Sequence, residues 1–407
     1  MTSSRLAPLR VPSFKRLAAA YTVNEAGDWL GLVALSVLVF RETDSAAALT
    51  GLFLAANLIP AFAAPLLTAR IDHAAVRRAL PAIYLVEGAI FVVLALLADS
   101  FSLPAVLALA LVDGVLLLTA RALSRAAVAA TLEPHGLLRE GNAIVNVGFA
   151  GATALGPALG GIVVAGLGVS EALLLDAASF AIIAALLAAA RALPAGSADP
   201  EPLLQRVRAG VGYVWRDSYL RTLVVGQAAA FVFFATVLPI EVVYAKESLG
   251  TDDRGFGLLL AAWGLGIFLG SLIFARSRRS PLALVAVSTA VVGLAYLGMA
   301  AADTLTLACG LAALGGGGNG VQWVALLTAV QEVTDADLQA RVVGLIESAG
   351  AAMPGLGFLL GGAIASLAGP RAAFVVAGGG VLVVLAVMAA VMRSVIRNRV
   401  DSTPTPV

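Results

Sequence analysis

Asn24, Glu25 and Asp28 stand close together inside an apolar run, 17–40. An α-helix turns by about 100° per residue, so Asn24 and Asp28 share a face, with Glu25 beside them and Gly31 one turn beyond Asp28. A carboxylate near the centre of a bilayer costs roughly 2.5–3.5 kcal/mol on insertion scales; two of them on one helix are more than packing explains. Such a stripe fits a water-accessible cavity that binds protons or a polar solute. A carboxyl held out of water favours its neutral form, and a second acid beside it favours that form further. The result is a group able to load a proton from one side and release it to the other, with Asn24 as a neutral hydrogen-bonding neighbour. The plainer reading is that one acid pairs with a neighbouring helix and serves only assembly.

Other polar residues fall inside apolar runs. Glu87 and Asp113 join the candidate cavity acids, Asp113 close to mid-depth of its run, whereas Asp176 reads as a structural acid near a helix end. Gln227 and Glu241 flank the apolar middle of 220–245, with Pro239 between them; Glu241 is an outer-gate acid or an ordinary interfacial residue. Asn319 and Gln322 follow the Gly315–Gly318 run. Arg121 and Arg125 lie nearer one end of their run, where snorkelling accounts for them. A cavity with several acids and no deeply placed Lys or Arg prefers cationic or neutral solutes.

The elements that must position these residues follow from composition. The 407 residues are 60% hydrophobic and 13% charged, with mean hydropathy +0.97. A soluble protein carries about 25% charge, so this is a polytopic membrane protein. Its apolar runs are continuous and do not alternate, which argues against a β-barrel, and its 42 glycines suit close helix packing. Twelve runs can be placed: 17–40, 47–69, 79–98, 103–124, 143–166, 171–191, 220–245, 255–275, 281–301, 304–328, 342–367 and 371–393. The longest polar interval splits them six and six. Its first part reads as a flexible linker, and its second, up to Tyr219, as an amphipathic helix on a membrane surface. Of the 26 Lys and Arg, all but Arg41, Lys246, Arg254 and Arg371 fall on one side of this topology. The positive-inside rule then puts both termini in the cytoplasm.

Several chemistries are excluded. No G-x-x-x-x-G-K-[ST] is present, so no P-loop binds ATP. His73 and His135 have no metal-ligand spacing around them, and the single cysteine, Cys309, excludes a disulfide within the chain. No cofactor, no metal and no nucleic-acid partner is expected. The first apolar run is a full span, and no cleaved signal peptide is read before it.

Six plus six runs around a cytoplasmic linker is the layout of the major facilitator superfamily. The stretch Asn24-Glu25-Ala26-Gly27-Asp28-Trp29-Leu30 resembles the G-D-W segment in the first helix of bacterial macrolide-efflux and enterobactin exporters. Arg208-Ala209-Gly210-Val211-Gly212-Tyr213-Val214-Trp215-Arg216-Asp217 is similar to the same group's segment before helix seven. Gly156-Pro157-Ala158-Leu159-Gly160-Gly161 matches the superfamily's antiporter motif, G-P-x-x-G-G; read without the resemblance, it is a Gly/Pro packing site. The loop motif G-x-L-x-D-R-x-G-R-[RK] is altered here to Thr68-Ala69-Arg70-Ile71-Asp72-His73-Ala74-Ala75-Val76-Arg77-Arg78. Asp72 keeps the acidic position, Arg77 and Arg78 the basic ones, and both glycines are gone.

The resemblance implies an all-α membrane protein of twelve transmembrane helices in two pseudo-symmetric six-helix bundles. The expected division is 1–191 for the first bundle, 192–219 for the linker with its amphipathic helix, 220–393 for the second bundle and 394–407 for a cytoplasmic tail. It further implies a monomeric secondary transporter, not an enzyme, in the bacterial cytoplasmic (inner) membrane. The expected activity is proton-coupled efflux of a small amphipathic, drug-like or macrolide-like compound by antiport. Open alternatives are a siderophore or metabolite exporter, a proton-symport uptake permease, and a membrane receptor or scaffold without turnover.

Overall fold

An apolar run crosses a bilayer only if its backbone polar groups are satisfied within the protein, and a helix does this within one segment. The computed structural model describes residues 6–71, 76–189 and 203–401, and the regular elements among them are helices. Twelve long ones follow the apolar runs: α1 Pro12–Thr43, α2 Ala46–Thr68, α3 Val76–Leu97, α4 Leu103–Leu132, α5 Leu138–Gly166 and α6 Val169–Ala188. After a shorter helix, Leu203–Arg216, come α7 Ser218–Ser248, α8 Asp253–Arg276, α9 Pro281–Ala301, α10 Leu305–Val333, α11 Ala336–Ala368 and α12 Pro370–Asp401. Among the described residues, eleven helices are long and apolar enough to cross a membrane. The twelfth, α10, has the length at 29 residues, but Gly315–Gly318, Asn319 and Gln322 dilute its apolarity.

The helix ends obey the expected punctuation. Asp44 takes a left-handed conformation (φ 48°) after α1, and Ser45 Oγ accepts the N–H of Ala48 to cap α2. Gly369, at φ 84°, ends α11, and Pro370 opens α12 without needing a backbone donor. Several helices outrun their apolar segments, because a polar sequence leaving the bilayer can stay helical.

One expected span is not a continuous helix. α7 is regular only over Ser218–Ala235, then passes through a 3₁₀ turn, Leu238–Ile240, a short helical turn, Glu241–Val243, and a π turn, Tyr244–Ser248. Pro239 has no N–H to give and crowds the preceding turn, so the backbone changes pitch there. Gly357 and Gly361 of α11 bring that helix against the carbonyls of Val232 and Thr236 beside the break.

Contacts sort the chain into two compact units, Met1–Ala198 with Ala245–Gly264, and Asp199–Tyr244 with Leu265–Val407. In the first, α1 packs on α5 and α6, α3 on α6 and α4, and α2 on α4. In the second, α9 packs on α10 and α12, and α7 on α11 and α12. The helix Leu203–Arg216 was expected to lie on a membrane surface; it packs on α11 and sinks Val214 completely into the second unit's core with Leu220, Val330 and Val342. Burying a Val side chain stabilises by about 1.5–3 kcal/mol, whereas Val211 and Trp215 of the same helix stay exposed.

Candidate functional site

α1 presents its polar stripe to the interior of the first unit. Asn24 and Glu25 are 2% and 1% exposed, and Asp28 is half-buried. Arg121 of α4 reaches them: its Nη2 lies 3.0 Å from Glu25 Oε2 and 2.9 Å from Asp28 Oδ2. Asn24 Nδ2 donates to the same Asp28 oxygen at 3.0 Å. The expectation that Arg121 snorkels away is therefore corrected, and with it the expectation of a cavity without a deeply placed cation. A guanidinium bonded to two carboxylates makes charge-assisted hydrogen bonds that reaching for the interface would forfeit.

Three more carboxyls close around this group. Asp176 of α6, read from sequence as a helix-end acid, is fully buried against α1. Gly31 makes room for it: a Cβ there would lie 2.5 Å from Asp176 Oδ2 and 2.6 Å from the Phe91 ring. Ser179 Oγ donates to Asp176 Oδ1 at 3.1 Å. Glu87 of α3 is fully buried and within electrostatic range of Asp28, Asp113 and Asp176. Asp113 of α4 is in range of Asp28 and Arg121. Among the described residues, Asn24 Oδ1, Glu25 Oε1, both Glu87 oxygens, Asp113 Oδ1, Asp176 Oδ2 and Arg121 Nε are buried with no hydrogen-bond partner. A buried polar atom left unpaired costs about 1–3 kcal/mol, so this cluster is a place where stability has been traded for something else.

The glycines of the 156–161 motif pack two ways. Gly156 and Gly160 lie against Trp29 and Val33 of α1, where added Cβ atoms would sit 2.8 and 3.2 Å away. Gly161 and the carbonyl of Pro157 face the first turns of α8. A Cβ on Gly161 would lie 2.8 Å from the Gly257 Cα, and one on Gly257 would lie 2.5 Å from Pro157 O. Pro157 sits within the helix α5. Beside this crossing Asp253, 5% exposed, binds Arg41 at the end of α1 and Lys246 Nζ, the latter at 2.7 Å. Arg77 and Arg78 are exposed in the first turn of α3. Asp72 lies outside the described residues.

Gln227 and Glu241 belong to the second unit. Gln227 is buried and lines a cavity together with Asn319, Gln322 and Trp323; Glu241 does not line it. Glu241 is buried in the α7 break, in electrostatic range of Tyr296, and has no hydrogen bond or ion pair among the described residues.

The structure thus joins Asn24, Glu25, Asp28, Glu87 and Asp113, and adds Arg121 and Asp176. The signal for Arg121 was present: acids buried on one helix call for a cation, and Arg121 is the nearest one along α4. Asp176 was hidden because nothing local marks which face of α6 meets Gly27 and Gly31.

A profile of the family described as transmembrane secretion effectors matches residues 3–403. The multidrug efflux pump Tap of Mycolicibacterium fortuitum is 26% identical over 400 residues, covering 92% of this chain and 93% of that one. Tap of Mycobacterium tuberculosis is 29% identical over 399 residues, covering 92% and 91%. Among solved structures, the nucleoside transporter NupG superposes with a TM-score of 0.71 at 12% identity, covering 93% of this chain and 99% of that one. A bacterial homologue of the human lysosomal transporter Spinster, inward-facing and unoccupied, gives 0.67 at 14% identity, covering 98% and 99%. At such identities the structures speak for the fold alone.

Proposed function

The chain belongs to the transmembrane secretion effector family, and on that premise we propose that it exports a small amphipathic, cationic or neutral compound in exchange for protons. Family and fold make it a major facilitator transporter and not an enzyme. Relatives named as multidrug efflux pumps support a drug-like substrate and outward transport.

The observation that carries the proton reading is charge balance: five carboxyls, Glu25, Asp28, Glu87, Asp113 and Asp176, surround one guanidinium. Removing the partner of a buried charge costs about 3–5 kcal/mol, so Arg121 cannot support all five as anions. The surplus acids hold protons, or they face a cation. A compound carrying a positive charge and the protons then compete for the same oxygens, and loading one releases the other. Arg121 serves as the internal counter-ion that keeps Glu25 and Asp28 from being stranded during the exchange.

The positive-inside count supports both termini in the cytoplasm and the cytoplasmic membrane as the site of action. The working arrangement is a monomer with bundles 1–191 and 220–393, joined by 192–219 and followed by the tail 394–407. Alternating access of two such halves is the motion expected of the fold, with Asp72, Arg77 and Arg78 as loop gating residues and Gly156, Pro157, Gly160 and Gly161 limiting leakage during exchange.

The test uses the purified chain in proteoliposomes with an imposed pH gradient and ethidium as a cationic probe. Dye movement against the proton flow is expected, and Asp28→Asn is expected to abolish it while the variant still folds, since Glu25 remains to pair with Arg121. Dye moving with the protons would indicate symport. Normal gradient-driven transport by Asp28→Asn would remove Asp28 from its assigned role.

A further inference from the structure

The second unit holds a cavity of about 200 Å³ walled by α7, α9, α10, α11 and α12. Pockets for drug-sized ligands run to about 300–1,000 Å³, so this one accepts a portion of such a molecule. Its walls are aromatic and amide. Phe231 and Trp323 present their rings 6.2 Å apart at 51°, and Gly350 of α11 opens the space beside Phe231, where a Cβ would come within 3.3 Å of the ring. Among the described residues, neither acid nor base lines the cavity.

The polar groups are set in a definite order. Gln322 Nε2 donates to Gln227 Oε1 at 3.3 Å and to Thr289 Oγ1 at 3.1 Å. A primary amide has two N–H donors and a carbonyl acceptor, so both donors of Gln322 are used and its carbonyl is left over. Gln227 has used one acceptor site of its carbonyl and keeps its N–H groups. Asn319, one turn before Gln322 on α10, lines the cavity and makes no hydrogen bond among the described residues. The cavity therefore offers both donors and acceptors, all uncharged, between two aromatic faces.

We propose that this cavity seats the uncharged ring portion of the transported compound, a flat ring system bearing carbonyl or hydroxyl groups, with Asn319 as its principal hydrogen-bonding residue. A charged group here would be desolvated with no counter-ion, whereas a flat neutral ring gains contact with Phe231 and Trp323 and satisfies the spare amide groups. Its role in transport rests on the export reading above; its binding chemistry does not.

The experiment is a titration of the purified full chain with coumarin, a neutral planar carbonyl compound, followed by tryptophan fluorescence without any pH gradient. Coumarin is expected to quench the emission, and Trp323→Phe to remove most of that quenching. Asn319→Leu, with the same number of side-chain heavy atoms, and Asn319→Ala are each expected to weaken coumarin binding about tenfold, the scale of one buried hydrogen bond. Thermal unfolding of each variant, unchanged from wild type, certifies the fold. No quenching of the wild type, quenching that survives Trp323→Phe, or wild-type affinity retained by both Asn319 variants overturns the assignment. Because no gradient is involved, failure of proton-driven flux would overturn the export reading while leaving this seat intact.

Discussion

The two units place polar groups in an apolar surrounding by opposite means. In the first, Arg121 pairs with two carboxylates of α1, three more carboxyls from α3, α4 and α6 lie close by, and several of these oxygens stay unpaired. In the second, the amides of α7 and α10 bond to one another and to Thr289 with groups to spare, and among the described residues neither acid nor base lines the cavity beside them. Charge clusters respond steeply to a proton or a cation, because each arrival changes the balance for every member. A neutral amide pair does not respond in this way, which makes it suited to reading shape. On the export reading proposed above, such a carrier gains from keeping proton coupling and substrate recognition on separate helices.

The contrast is tested most severely at Arg121. Arg121→Gln leaves Glu25 and Asp28 without their counter-ion and should destabilise by about 3–5 kcal/mol, seen as a large fall in melting temperature of the purified protein. Adding Asp28→Asn to that variant should recover about 0.5–3 kcal/mol, the range for coupled neighbours. Melting unchanged by Arg121→Gln would mean that charge does not hold the first unit's cluster, and the distinction would collapse. Gly31→Ala probes the same cluster sterically. The new methyl group meets Asp176 and Phe91 and should cost about 1–3 kcal/mol, with efflux reduced alongside. The gentlest intervention belongs to the second unit. Gln322→Leu replaces one neutral amide and should lower stability by only about 1 kcal/mol, by the same melting assay. Its effect should be the same at either end of the range from about pH 5 to 8, since among the described residues no titratable group lines the cavity.

The sequence disclosed the first unit's cluster better than the second unit's cavity, for a physical reason. Glu25, Asp28, Glu87 and Asp113 stand out because a carboxyl inside an apolar run is costly wherever it points. Gln227, Asn319 and Gln322 are only mildly unfavourable there, and nothing in their spacing says that Phe231 and Trp323 lie across from them. Arg121 was misread because depth along a helix was inferred from distance to the end of an apolar run, and α4 continues helical to Leu132. Eleven of the long helices are apolar enough to be legible from hydropathy, whereas α10, diluted by its glycine run, was placed from a weaker apolar signal. The break in α7 was only half visible: Pro239 announced it, while the π turn beyond depends on what packs there.

The crossing of Gly161 and Gly257 has a consequence for how the protein can vary. A joint made of main chain on both sides has no side-chain chemistry to preserve, so what selection can act on there is volume. In a saturation screen, positions 161 and 257 should reject residues in order of size, with serine barely tolerated and charge of either sign making little difference beyond its bulk. Positions 25, 28 and 121 should show the reverse, sorting replacements by charge before size. Two maps of permitted substitutions, drawn on one unit, would separate the positions held by volume from the positions held by charge.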